Sequence, residues 1–206
     1  MAARTESRPD SNRSTTSRSR GSSAFSWGST GAIAGVALGG AALAIAANIG
    51  RKLAIQGVSA SAGSWFDSLA AEHEATLALF DKMLATDDSQ TVQRRLLLMK
   101  LGHALDKHAY AEEHVVYAAL RENDSVSDAA KLESDHGEVK EFLYRLSHMA
   151  PDASDWIATV SEFRSSVAAH AKLEEDVIFP QLRADIDAEL DARLTKEVNK
   201  AGFMMA

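Results

Sequence analysis

Two blocks of this chain repeat one pattern of metal-binding residue types. In each block a histidine is followed four residues later by a glutamate, and a further histidine stands about 35 residues before it. The six residues are His73, His108, Glu112, His136, His170 and Glu174. Side chains four positions apart on a helix share one face, with Cβ atoms roughly 5–6 Å apart, so each His and Glu can converge on one point. The pattern predicts a two-metal site assembled from helices.

The donor atoms of these residues limit the metals that such a site can hold. Four imidazoles and two carboxylates suit iron, manganese or zinc better than copper(I) or an iron–sulfur cluster. The chain has no cysteine, so it offers no thiolate ligand, no disulfide and no cysteine nucleophile. We therefore expect a centre built from nitrogen and oxygen donors alone.

From residue 61 onward the sequence has the periodicity of helices. Aliphatic residues recur at steps of three and four, with almost no alternation typical of strands. Short polar breaks predict helices at about 64–85, 90–121, 126–149 and from about 152–154, followed by a short C-terminal helix at about 184–200. Pro180 must kink or stop the fourth helix. This order predicts an all-α fold, an antiparallel up-down four-helix bundle, whose core is a common place for metal sites.

An internal repeat supports a bundle of two similar helix pairs. An offset of 62 residues places the second His-x3-Glu block on the first, and an offset of 63 places His136 on His73. The number of residues between each ligand and the nearest loop, at about 1.5 Å per residue, gives the depth of that ligand in the bundle. The ligands of neighbouring helices have similar depths, except that His73 and His108 differ by about 7 Å along the axis. A tilt or a longer loop must absorb that difference. His103 would be level with His73 and remains a rival ligand, although Lys107 stands where its carboxylate partner should be.

The N-terminal part has a different composition. Residues 1–30, rich in Ser, Thr, Arg and Gly, are predicted to be disordered. Residues 31–57 are rich in Ala and Gly, and the uncharged run 31–49 approaches the roughly 20 residues that span a bilayer. A membrane helix, a flexible linker and a helix docked on another protein are the three interpretations. The bundle domain is predicted at 61–185, with residues 186–206 as C-terminal helix and tail.

The distribution of charge argues against nucleic acid as a partner. Residues 1–50 have a net charge of +3, so the total of −7 leaves −10 for residues 51–206. Nucleic-acid phosphates require a basic face. We therefore expect no nucleic-acid partner for the acidic domain.

The blocks HAYAEEHVVYAAL and HAKLEEDVIFPQL, with the lone His73 and His136, resemble the hemerythrin-like family, also called the HHE cation-binding domain, over roughly residues 61–185. The resemblance implies a non-haem diiron centre, bridged by carboxylates and a solvent oxygen, with one open position for O2, NO or peroxide. It implies that the four repeat-related histidines are terminal ligands and that Glu112 and Glu174 bridge the irons. Each bound imidazole also needs an acceptor for its second ring nitrogen.

One departure from the family pattern keeps several functions open. Oxygen-carrying hemerythrins have a further histidine four residues after the one on the third helix, and here that residue is Lys140. The leading hypothesis is a diiron protein of bacterial type that binds or senses O2, NO or peroxide, either cytoplasmic or associated with the inner membrane, and either monomeric or a homo-oligomer. The first alternative is a diiron enzyme that decomposes peroxide or reduces O2, with Lys140 as proton donor. The second is a structural, membrane-attached module in which the metal is a staple.

Other polar residues near the blocks are given less specific roles. Glu113 and Glu175 lie about 100° round the helix from the ligand carboxylates, so they either face solvent or support the ligands from outside. His114 and His148 are expected to lie away from the site. The nearby tyrosines are expected to pack in the core or at an interface: Tyr110, Tyr117 and Tyr144.

Overall fold

The computed structural model describes residues 63–205, and all regular structure within them is helical. The elements, in chain order, are α1 Trp65–Leu84, α2 Thr91–Ala111, a first π-helical turn Glu112–Val116, α3 Tyr117–Glu122, α4 Val126–His148, α5 Trp156–Leu173, a second π-helical turn Glu174–Ile178, α6 Phe179–Asp185 and α7 Ala188–Met205. The π-turns join α2 to α3 and α5 to α6. The described chain therefore consists of four long rods, namely α1, α2 with α3, α4, and α5 with α6, followed by the C-terminal helix α7.

The four rods pack side by side as a bundle. Helix α1 contacts both α2 and α5, and α4 contacts both α3 and α5, which closes the ring of rods. The connections 85–90, 123–125 and 149–155 are short, so successive rods run antiparallel. The predicted all-α, up-down four-helix bundle is thus confirmed for residues 63–205; the first three rods begin and end close to their predicted bounds, whereas the C-terminal helix lies four to five residues later than predicted.

Two apolar clusters fill the bundle core and leave a polar layer between them. On α1, Leu69 belongs to one cluster and Phe80 to the other, and His73 lies between the two on the same helix. On each of the other three rods the ligand histidine also lies between residues of the two clusters. The hydrophobic effect thus stabilises the bundle from both sides of the site, which itself contributes few apolar contacts.

The first helix is anchored at its start by a cap and by the C-terminal helix. Ser64 and Asp67 form a capping box, in which each side chain accepts a hydrogen bond from the other's backbone N–H. Trp65 is fully buried, and its backbone N–H and indole Nε1 donate to Thr195 Oγ1 at 3.1 Å and to Asp191 Oδ1 at 2.8 Å. Helix α7 therefore holds the beginning of α1 against the bundle.

The predicted mismatch in depth does not keep His73 and His108 apart. Eleven residues separate His73 from the end of α1, whereas seventeen separate the start of α2 from His108. The difference of six residues amounts to about 9 Å along a helix. The six residues between the helices include a turn, in which the backbone N–H of Gln90 donates to the carbonyl of Asp87 at 3.2 Å. The two imidazole rings nevertheless meet, with centroids 4.4 Å apart.

Each π-turn begins at a glutamate of the repeated motif. The backbone N–H of Tyr117 donates to the carbonyl of Glu112, and that of Phe179 donates to the carbonyl of Glu174, five residues back in both cases. Pro180 does not stop the rod, because α6 continues to Asp185 with this proline in its first turn, where a missing N–H is tolerated; whether it kinks the rod stays a prediction. The first π-turn has no proline, so the distortion accompanies the glutamate, as is common at functional sites.

The predictions for the N-terminal part fall on residues that the structure does not describe. These are the disordered tail 1–30 and the apolar segment 31–57, with its candidate membrane helix at 31–49. Within residues 63–205, none of the helices combines the length and the apolar character needed to cross a bilayer.

Candidate metal centre

The bundle brings all six sequence-predicted ligand residues into one buried cluster. Each of the four rods contributes one histidine, and the two glutamates come from the starts of the π-turns. None of the six is more than 7% exposed. Their ligand atoms form two groups, each with all atoms within 4.8 Å of one another: His73, His108, Glu112 and Glu174 in the first, and Glu112, His136 and His170 in the second.

Glu112 belongs to both groups because its two oxygens face different histidines. Its Oε1 lies 3.0 Å from His108 Nε2, and its Oε2 lies 3.3 Å from His136 Nε2. A carboxylate in this position can place one oxygen on each of two cations. This geometry is what the bridging assignment of Glu112 requires.

Glu174 has a different arrangement. Its Oε2 alone faces imidazoles, at 3.2 Å from His73 Nε2 and 3.4 Å from His170 Nε2. Its Oε1 instead accepts a hydrogen bond of 2.7 Å from the hydroxyl of Tyr117. The bridging assignment of Glu174 therefore remains a prediction.

The histidines present their Nε2 atoms to the centre of the cluster. The Nε2 atoms of His73 and His108 are 2.8 Å apart, and both carboxylates approach histidines through Nε2. The Nδ1 atoms point outward to four acidic side chains, in the pairs His73–Glu175 at 2.7 Å, His108–Glu72 at 3.1 Å, His136–Glu113 at 2.9 Å and His170–Asp135 at 3.5 Å. Carboxylates in these positions fix the ring orientation and raise the basicity of the inner nitrogen.

The sequence contained a signal for these outer carboxylates. Glu113 and Glu175 are the second glutamates of the two blocks, and of their two predicted roles the structure gives the supporting one. Glu72 and Asp135 were missed, although each directly precedes a lone histidine and the two are related by the same offset of 63 residues. Acidic residues at repeat-related positions beside the ligands would have identified them.

Tyr117 is a further residue of the site that the sequence analysis placed in the packing. Its side chain is fully buried, and its hydroxyl lies 3.2 Å from His136 Nε2 and 3.4 Å from Glu112 Oε2, in addition to its bond to Glu174. In a regular α-helix, residues five apart point about 140° away from each other. The π-turn between Glu112 and Tyr117 widens the helix and brings both onto the inner face, which helical periodicity could not show.

Comparison with protein families identifies this arrangement. The model of the hemerythrin HHE cation-binding domain matches residues 66–182, which is more than half of the chain. The chain belongs to the hemerythrin HHE family. The hemerythrin domain covers the four rods and all six clustered residues, whereas α7 lies beyond the match.

One similar protein has a name that refers to DNA and not to a metal. A protein of Nostoc sp. (strain PCC 7120 / SAG 25.82 / UTEX 2576), named DNA nickase, is 24% identical to this hemerythrin-family chain over 135 residues, which are 66% of this chain and 38% of the relative. The chain thus spans well under half of that protein's length. No solved structure gives a significant match.

Charge balance in the hemerythrin site is set by burial and by contacts between opposite charges. Burial raises the pKa of Glu112, but the adjacent histidines, His108 foremost, hold it well below its usual range. Burial lowers the pKa of His108, but Glu112 and Glu72 raise it well above its usual range. For His170, burial prevails and the pKa is lowered. The cluster therefore concentrates carboxylate charge that protons on the histidines, or a metal ion in their place, can balance.

The donor set fits a pair of metal ions of the diiron type. Three buried atoms that face the centre of the cluster have no hydrogen-bond partner among the described residues, namely Glu112 Oε1, Glu174 Oε2 and His170 Nε2. Buried polar atoms nearly always have a partner, and a cation between them would supply one. Imidazole nitrogen and carboxylate oxygen are also the donors that non-haem iron takes in helical bundles. The hemerythrin domain and the His/Glu cluster thus agree on a metal-binding module.

The rival residues lie away from the cluster. His103 is exposed, and His148 is exposed with its Nδ1 3.0 Å from Ser147 Oγ and 2.8 Å from the carbonyl of Tyr144. Lys140 is also exposed, and its Nζ lies 3.4 Å from Glu113 Oε1. The amino group of Lys140 thus approaches a carboxylate outside the site and not the inner ligand atoms.

Proposed function

We propose that the six clustered residues hold two non-haem iron ions and that the protein binds or senses O2 or a related small oxidant such as NO or peroxide. The observation that carries this proposal is the pair of buried donor groups that share Glu112. Each group combines imidazole nitrogens with carboxylate oxygen, which are donors that iron accepts. The family of the chain supports the same choice.

In this function the protein residues position the metal ligands and exclude water from the site. When bound, the two irons would supply a redox-active Lewis acid with room for a small exogenous ligand. The outer carboxylates hold the imidazoles in fixed orientations, and the apolar clusters on both sides keep bulk water out. These residues thus keep the donors preorganised in a buried, low-dielectric site.

The position of Lys140 removes the sequence-based argument for the enzyme alternative. An enzyme that reduces O2 or peroxide needs a proton donor at the site, and Lys140 was the sequence-based candidate. Its side chain is 64% exposed, and its amino group faces Glu113 outside the ligand cluster. The proposal therefore assigns Lys140 no role in proton delivery.

The name of the Nostoc relative suggests DNA cleavage as a different function, and the site does not favour it. A phosphodiester within a duplex would have to reach the metal ligands, and none of these is more than 7% exposed. The net charge of −7 also opposes association with DNA. We expect the iron-loaded chain to leave supercoiled plasmid intact in a nicking assay.

Substitution of ligands and of an excluded histidine tests the metal assignment. His108→Ala and Glu174→Ala should each lose bound iron, measured by elemental analysis after gel filtration, because each removes a donor from the first group. His148→Ala is the matched control and should keep the wild-type iron content. Iron loss in the control together with full iron content in His108→Ala would contradict the proposal.

Spectroscopy separates binding from turnover. A visible absorption change that reverses as O2 is added and removed supports binding or sensing. Steady O2 evolution, or consumption of added peroxide over many turnovers, supports the enzyme alternative. If chelation removes the metal without any change in melting temperature or spectrum, the metal is no part of the folded site, and both hypotheses fail.

A further inference from the structure

The two halves of the metal centre differ in one hydroxyl group. Tyr117 follows Glu112 by five residues, and Phe179 follows Glu174 by the same interval, so the two aromatic residues correspond in the internal repeat. Both are fully buried. Only the tyrosine carries a hydroxyl, so the pseudo-two-fold symmetry of the centre is broken at this position.

The surroundings of the two rings show what each does. Phe179 packs on Trp65 and Phe66, with ring centroids 5.2 Å and 6.2 Å apart, in the apolar cluster at the beginning of α1. Tyr117 also belongs to this cluster, but its hydroxyl enters the polar layer and donates to Glu174 Oε1 at 2.7 Å. The phenylalanine therefore shows that the fold accepts a ring without hydroxyl at this point of the repeat.

The hydroxyl changes what the carboxylate of Glu174 can contact. Glu112 divides its two oxygens between His108 and His136, whereas Glu174 uses Oε2 for histidines and gives Oε1 to Tyr117. Glu174 thus offers one oxygen, Oε2, between His73 of the first donor group and His170 of the second. Its ligand atom belongs to the first group, which has four side chains, while the second has three. Without the hydroxyl, Glu174 Oε1 would be free to turn toward the second group.

We propose that Tyr117 is a positioning residue that determines where a small ligand binds: by holding Glu174 Oε1, it keeps the group of Glu112, His136 and His170 short of one protein donor. This inference rests on the proposed function, because it concerns the metal held by that group. The exogenous ligand is a small anion or diatomic molecule that occupies the position the carboxylate leaves free. The first group, with four protein donors, holds its metal in place and does not bind the exogenous ligand.

Tyr117→Phe tests the proposal with azide as the probe. The variant should keep the wild-type iron content, because no ligand is removed and the repeat already contains phenylalanine at the equivalent position. Its azide affinity should fall about tenfold, the effect of roughly one hydrogen bond, because the released Glu174 competes for the open position. Tyr110→Phe is the matched control, since Tyr110 lies on α2 and stacks on His114 with centroids 4.1 Å apart, away from the cluster.

Cobalt substitution gives a second readout that a merely structural role would not change. The visible absorption of Co2+ weakens as its coordination number rises, so Tyr117→Phe should have a weaker band than the wild type at equal cobalt content. Wild-type azide affinity and an unchanged cobalt band in an iron-replete variant would overturn the inference. So would iron loss in Tyr117→Phe, or a wild-type diiron protein that does not bind azide. A wild-type chain without iron would instead overturn the proposed function, so the two failures are distinguishable.

Discussion

At the scale of single residues, the site is a set of histidines whose two nitrogens have separate tasks. Nε2 faces the centre, and Nδ1 faces a carboxylate on a neighbouring rod, as in the contact of 2.7 Å between His73 and Glu175. Such outer contacts fix the tautomer and the orientation of a ligand ring. The affinity of the site should therefore depend on residues that touch no metal.

Glu175 and its neighbour Asp176 offer a matched test of this dependence. Glu175→Gln should weaken metal binding by about tenfold, because it replaces the charged acceptor of His73 with a neutral one. Asp176→Asn removes the same charge one residue further on, where the side chain is exposed and pairs with Lys172. It should leave the affinity nearly unchanged in a competition titration against a chelator. Equal effects of the two substitutions would contradict a specific role for the outer carboxylate.

The sequence predicted ligands better than it predicted their surroundings. The six clustered residues could be found because spacing of four on a helix and an internal repeat are both visible in one sequence. Tyr117 could not be placed, because its direction depends on a π-turn that regular α-helical geometry does not anticipate. Glu72 could have been found, because it and Asp135 precede repeat-related histidines, but its partner His108 on α2 follows only from the packing of α1 against α2.

At the scale of elements, the C-terminal helix extends the domain and packs against the rods that carry the site. Helix α7 contacts α1, α2 and the first π-turn. Gly202 of α7 lies over Lys107 of α2, whose buried amino group pairs with Glu72, and Glu72 in turn contacts His108. A chain of contacts therefore leads from α7 to a ligand histidine.

Two glycines within helices test this packing. Gly137 on α4 has open space where a Cβ would be, so Gly137→Ala should stabilise the protein by up to about 1 kcal/mol through helix propensity. At Gly202 a Cβ would come within 3.2 Å of Lys107 Cε, so Gly202→Ala must displace a buried, ion-paired side chain. We expect Gly202→Ala to lose most or all of the stabilisation that helix propensity would give. Urea unfolding of both variants measures the difference, and equal stabilisation would contradict the close contact.

The bounds of the helices followed from polar breaks and capping residues, but their continuity did not. Pro180 indicated a kink or an end, and the structure continues the rod through the second π-turn into α6. The depth of His108 also differed from a simple count, because the length of a helical segment says nothing of how far its loop extends. Local sequence patterns thus determine where a helix forms more reliably than how two helices are offset.

At the scale of the whole molecule, the fold places a charged layer between two apolar clusters. The clusters stabilise the bundle by burial, and the layer between them holds two glutamates with no exposure at all, Glu112 and Glu174. Buried carboxylates are costly unless a proton or a cation balances them. Bound metal should therefore contribute to the stability of the fold as well as to its function.

The all-α bundle was predictable because four long periodic segments with short connections leave few other arrangements. The asymmetry of the centre was not, because the repeat suggests two equal halves, and one hydroxyl of Tyr117 makes them unequal. The fold thus follows from patterns shared by both halves, whereas the chemistry of the site depends on where they differ.

The iron content of the full chain decides whether six residues from four rods hold two iron ions. The chain is saturated with iron, separated from free metal by gel filtration and analysed for iron and protein. We expect about two iron ions per chain, as in di-iron carboxylate bundles. Less than about one iron ion per chain, with a melting temperature that chelation does not change, would contradict it.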